Sequence, residues 1–154
     1  MVADALGQAL GHEVGPIELR SVGGGCINEA ATATVRGVTY FVKWNDRPLA
    51  GQFAAEAAGL RALRESGSPL VVPEVVTLCD EGPGRSFLVL EHLAPGQRQS
   101  GFDEALGHGL AELHRTRSAQ GFGFPIDGYC GATPQPNGWQ DTWTAFYAER
   151  RIGH

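Results

Sequence analysis

Three consecutive glycines, Gly23 to Gly25, lie between two runs that favour extended chain, and this order restricts the fold more than any other feature of the sequence. Upstream, IELRSV has strand character. Downstream, residues 31–35 alternate small or β-branched residues with threonines, Arg36 and Gly37 form a turn, and residues 38–42 are β-branched and aromatic. Three antiparallel strands interrupted by one glycine turn are the simplest account. Because a strand and not a helix follows the glycines, and no Lys-Ser or Lys-Thr pair succeeds them, neither the Walker loop nor the dinucleotide fingerprint applies.

The rest of the chain extends this into an α+β expectation. A short helix over residues 2–10, ended by Pro16, precedes the first strand. Pro48 suits a first helical turn, and Leu49, Phe53, Ala57, Leu60 and Leu63 recur at spacings of three or four until Gly67 stops the pattern. Residues 75–78 and 87–90 flank the turn-rich DEGPGR and read as two more strands of the same sheet. The first unit, residues 1–93, is thus expected to be a five-stranded antiparallel sheet with one main helix. Beyond the Pro95–Gly96 break, Ser100 with Asp103 signals a helix start, and Leu106, Leu110 and Leu113 form one apolar face. Residues 121–138 show little periodicity, whereas Trp139, Trp143 and Phe146 at helical spacing suggest a further helix. Residues 94–154 therefore read as the beginning of a second, helical unit, incomplete at this length.

Composition removes several classes of partner. The formal charge of -5 across 154 residues, with Lys and Arg scattered singly, offers no basic stripe for a nucleic-acid backbone. No stretch approaches the roughly 18 apolar residues of a membrane-spanning helix, and the amino terminus lacks a basic-then-apolar leader pattern. A cytoplasmic location is the default reading. Cys26, Cys79 and Cys130 are odd in number and far apart, which fits reduced thiols better than a disulfide framework or paired zinc ligands.

The chemistry concentrates in a few residues. A glycine turn exposes backbone N–H groups that approach phosphate oxygens closely, and cover loops set between two strands are of the kinase type. Lys43, closing VTYFVK, is placed to meet α and β phosphates as a point charge; the alternative is a solvated lysine on an edge strand. Glu56 falls near the buried side of the main helix, where a carboxylate needs a partner, and Lys43 is the obvious one, against the alternative of a solvated acid near Arg61 or Arg64. SFLVLEHLAPG ends an apolar strand at Glu91, His92 and Leu93 and then breaks, as a connector offering adenine a flat apolar slot would. His114 closes the apolar face of its helix and reads as a capping or core histidine in preference to a proton-transfer group.

GGGCINEA, FVKWN, FAAEAAGLRAL, LVLEHL, LAELH, FGF and CGATPQPNGWQDTW, which span nearly the whole chain, resemble the fructosamine kinase (ketosamine kinase) family. The resemblance implies a protein-kinase-like fold and phosphorylation, with ATP and Mg²⁺, of sugar-derived ketoamines on lysine side chains or small amines. It makes Gly23, Gly24, Gly25, Cys26 and Ile27 the phosphate loop, Lys43 the phosphate-binding lysine, Glu56 its helix partner and Glu91, His92 and Leu93 the hinge. Trp139, Gln140 and Asp141 become candidate acceptor-side residues. It also suggests that Cys26 is redox-sensitive, since loop N–H groups would stabilise a thiolate there, against the alternative of a small inert residue packed beneath the loop. The family's catalytic loop and its metal-binding Asp have no counterpart here, as Asp127 in GFGFPIDGYC lacks the preceding His-Gly. Catalytic base and metal ligands are therefore expected outside these residues.

The sequence accommodates two readings: an ATP-dependent kinase of this family, with aminoglycoside- or choline-type kinases as the alternative within that class, or an inactive nucleotide-binding module. In the second, Leu106, Leu110, Trp143 and Phe146 would present apolar faces to a homodimer or another partner.

Overall fold

The computed structural model describes residues 1–23, 27–83 and 85–153. A five-stranded antiparallel sheet runs in the order β1-β2-β3-β5-β4, built from β1 (Leu19–Ser21), β2 (Glu29–Val35), β3 (Val38–Trp44), β4 (Val75–Asp80) and β5 (Ser86–Glu91). Every expected strand is present, and the two late ones join the same sheet. The β2–β3 hairpin closes at Arg36 (φ 49°) and Gly37 (φ 83°), two left-handed residues whose twist matches that of the strands.

Helices cover both faces. On one, α1 (Val2–Leu10) inserts Leu6 among Ala33, Val35, Val42, Phe87 and Val89; on the other, α2 (Gln52–Glu65) packs Phe53 and Ala57 onto Leu88 and Leu90. This explains why β5 is apolar without alternation, each side chain from Phe87 to Leu90 being buried against one helix or the other. The sequence alone indicates a short opening helix at residues 2–10; its role as cover for half of the core is decided by packing. No helix among the described residues is long and apolar enough to cross a membrane.

The main helix starts later than Pro48 suggests. Gly51 adopts φ 69°, which interrupts right-handed helix, so a turn closed by the Gln52 N–H donating to the Leu49 carbonyl at 3.1 Å comes first and α2 begins at Gln52. Gly51 has no side chain to cap the new end, and the Asp80 carboxylate from β4 accepts the Ala54 N–H instead, at 3.1 Å.

After β5 the chain leaves the sheet and forms α3 (Phe102–His114), N-capped by Gly101 and not by Ser100. The helix is tied to the segment following α2: Ser68 Oγ donates to the Gly109 carbonyl at 2.8 Å, and Gly109 lies so close to Leu70 that an added Cβ would stand 2.5 Å from Leu70 Cδ2. Residues 121–138, where periodicity is weak, contain a hairpin, β6 (Gly128–Cys130) with β7 (Thr133–Gln135). Trp139 precedes the last helix and lies outside it. α4 (Trp143–Tyr147) starts where Thr142 Oγ1 accepts the Ala145 N–H at 3.2 Å, and a wide π turn, Ala148–Ile152, follows it.

Candidate functional site

Lys43 lies on β3, the central strand of the sheet, and points to the α2 side, as do Phe41 two residues before it and Leu88 opposite it. The edge-strand alternative is thereby excluded. One helical turn beyond the buried Gln52–Phe53 pair, α2 directs Glu56 at the same spot, and Lys43 Nζ donates to both carboxylate oxygens at 2.7 and 2.8 Å. The side chains retain 23% and 31% of their accessibility, so the pair is half-screened: attached firmly to the sheet and helix, and still reachable from solvent.

This ion pair stands between two clefts of different chemistry. One, of about 540 Å³, is walled mostly by apolar groups: Val22, Ala30, Phe41, Leu60, Pro73 and Leu90. The other, of about 380 Å³, is lined by Asn28, Gln52, Gln135 and Tyr129 around the same pair. Both are bounded by Ile27, two residues past the glycine run. A flat apolar slot that ends at a fixed ammonium suits a ligand with an aromatic base and an anionic tail.

Of the phosphate-loop candidates, Gly23 and Ile27 border the apolar cleft, whereas Gly24, Gly25 and Cys26 lie outside the described residues. The apolar cleft ends at Leu90, one residue before the predicted connector Glu91, His92 and Leu93. Glu91 is engaged in tying the end of β5 to the residue that leads into β4: its N–H donates to the Glu74 carbonyl at 2.9 Å and its carboxylate accepts the Glu74 N–H at 3.1 Å. His92 and Leu93 have left the sheet.

The structure does not bring Trp139, Gln140 and Asp141 to this pair, since none of them lines either cleft. Gln140 exchanges backbone bonds with Phe122 at 2.8 and 2.9 Å, and its side chain donates to Glu149 at 2.6 Å. Trp143 packs with Phe146 and Tyr147, ring centroids 5.8 and 5.4 Å away. Asp127 serves the fold by accepting the Asn137 N–H at 2.6 Å. His114 is exposed at the end of α3. Among the described residues no group of three or more His, Cys, Asp or Glu side chains could hold a metal ion.

Sequence reading missed the hairpin as a wall of the polar cleft. Its Tyr129 hydroxyl donates to the Ala50 carbonyl at 2.8 Å, just ahead of α2, and its Gly131 approaches Ile27, where an added Cβ would meet Ile27 Cδ1 at 3.2 Å. The signal available was CGATP, a turn-forming glycine between two short extended runs.

The family model described as fructosamine kinase matches residues 1–154. Similar curated proteins include a "Probable ketoamine kinase" of Synechocystis, 38% identical over 154 residues covering 99% of this chain and 51% of that protein. A chloroplastic protein-ribulosamine 3-kinase of rice is 38% identical over 134 residues, 86% of this chain and 39% of the relative. The crystal structure of a "Putative fructosamine-3-kinase" from Haemophilus somnus superposes with a TM-score of 0.85 at 30% identity, covering 99% of this chain and 51% of that one. The chain thus spans about half the length of the bacterial relatives it matches.

Proposed function

Because the chain belongs to the fructosamine kinase family, we propose that it carries the nucleotide-holding part of an ATP-dependent kinase acting on ketoamine adducts of lysine side chains or small amines. The observation that carries this reading is the Lys43–Glu56 pair, bonded at 2.7 Å on a central strand at the end of an apolar slot. Residues 1–93 form the nucleotide unit in this proposal, and residues 94–154 the start of the acceptor unit.

Adenine enters between Ala30, Phe41 and Leu90, with its edge toward the backbone of Glu91 to Leu93, and the phosphates run toward Lys43 past Gly23 and Ile27. Glu56 holds the ammonium in one direction, so little side-chain entropy is lost when the anionic ligand arrives. ATP supplies the transferable phosphoryl group, and Mg²⁺ would neutralise its charge through ligands other than the described residues. Phosphoryl transfer depends mainly on positioning and charge neutralisation, which are the two services this half can perform. Trp139, Gln140 and Asp141 are proposed on the acceptor side, away from the pair.

Calorimetric titration of Mg-ATP tests the reading. The wild-type chain is expected to bind, Lys43→Ala to bind at least about tenfold more weakly through loss of a charge-assisted contact, and the chain alone to bind without turning over fructosyl-lysine. Equal affinity in wild type and variant would remove Lys43 from the site. In a longer polypeptide, preference for an aminoglycoside or choline over fructosyl-lysine would overturn the acceptor class.

A further inference from the structure

We propose that the Asn28 side chain is a further phosphate-binding group, its amide NH₂ held toward the cleft by a network that fixes the direction of every amide behind it. This rests on the nucleotide reading above and adds a residue to it.

The direction of an amide group follows from partners that can only donate or only accept. Asn45 is fixed twice by backbone: its Nδ2 donates to the Ile27 carbonyl at 3.1 Å, and its Oδ1 accepts the Arg47 N–H at 2.8 Å. Gln52, buried at the head of α2, is fixed by the Leu49 N–H, which donates to its Oε1 at 3.3 Å. Both amides therefore turn an NH₂ toward Asn28, and Asn28 Oδ1 accepts from Asn45 Nδ2 at 3.0 Å and from Gln52 Nε2 at 3.3 Å. With its oxygen committed on that side, Asn28 is left with its NH₂ as a donor, and that group has no protein partner among the described residues.

Position completes the argument. Asn28 immediately follows Ile27, the last of the phosphate-loop candidates, and lines both clefts that meet at Lys43. An NH₂ group presented beside a lysine ammonium suits an acceptor-only, anionic ligand, the chemistry of phosphate oxygens. The three amides are drawn from β2's leading turn, β3's trailing turn and α2, so the donor is set by the same elements that set Lys43 and Glu56.

The test compares Mg-ATP with adenosine, which occupies the apolar slot without phosphates. Asn28→Asp keeps the oxygen that accepts from Asn45 and Gln52 but replaces the NH₂ with an anionic oxygen. It is expected to weaken Mg-ATP binding about ten- to a hundredfold by loss of the donor and by like-charge repulsion, with adenosine affinity unchanged. Asn45→Leu, which removes the shorter of the two bonds that hold Asn28 Oδ1, is expected to lower Mg-ATP affinity and spare adenosine. In ¹⁵N spectra the wild-type Asn28 NH₂ pair shifts with Mg-ATP and stays in place with adenosine. If the wild type binds Mg-ATP and Asn28→Asp binds it equally well, the Asn28 assignment falls and the nucleotide reading survives. Equal losses of adenosine and Mg-ATP affinity would make Asn28 a fold residue only. No Mg-ATP binding by the wild type would overturn the nucleotide reading and the Asn28 assignment with it.

Discussion

Lys43 and Glu56 show how a residue's role depends on what encloses it. Were the pair fully exposed it would contribute under about 1 kcal/mol, and were it fully buried, removal of one partner would cost about 3–5 kcal/mol. At roughly a quarter to a third exposed, it falls between these limits. Lys43→Met is expected to destabilise the chain by about 1–3 kcal/mol by leaving a half-buried carboxylate unpaired. The double variant Lys43→Met with Glu56→Leu should recover part of that loss, measured as denaturant midpoints around a double-mutant cycle. A double variant no more stable than Lys43→Met would show that the carboxylate is already well solvated. Both residues were legible from spacing alone, because a charge within β-branched strand pattern and another near the apolar side of a helix each require an explanation. Asn28, Asn45 and Gln52 were not legible, since amides widely separated in sequence carry no periodic signal and acquire a shared direction only when three turns meet.

At the scale of elements, termini and close approaches are where local pattern and packing diverge. The start of α2, the helix that carries Glu56, is held by a carboxylate from the sheet: Asp80 at the end of β4 accepts the Ala54 N–H. Asp80→Ala is expected to lower stability by about 0.5–2 kcal/mol, the usual cost of a lost N-terminal acceptor, read from thermal or denaturant unfolding. A loss indistinguishable from zero would mean that water serves Ala54 equally well. α3 offers an internal comparison, because Gly107 has open space around its missing Cβ whereas Gly109 lies against Leu70. Gly107→Ala should stabilise by about 0.5–1 kcal/mol through helix propensity. Gly109→Ala should fall at least about 1 kcal/mol below it, as Leu70 is displaced. The two alanine variants having the same midpoint would refute the close docking of α3.

For the molecule as a whole, the informative contact is the one that folds late sequence back onto early sequence. Tyr129 reaches Ala50, and Gly131 reaches Ile27, so the β6–β7 hairpin closes the polar cleft from residues far down the chain. Tyr129→Phe keeps the ring and removes the hydroxyl, a loss of about 1 kcal/mol. Hydrogen exchange in the hairpin is expected to quicken about fivefold while the five-stranded sheet keeps its protection. Uniform quickening across the sheet would show that the hairpin belongs to the global cooperative unit.

The sequence by itself determined the strands, the α2 and α3 helices, the β2–β3 turn and the need of Lys43 and Glu56 for a partner. Each of these is written in short-range periodicity, in turn chemistry, or in a charge placed where burial demands a partner. Tertiary structure alone decided that α1 covers half of the core, that Asp80 begins α2, that Trp139 stands outside the last helix, and that three amides orient one another beside the ion pair. Those outcomes depend on which surfaces meet, and a contact between residues tens of positions apart leaves no mark in either local pattern.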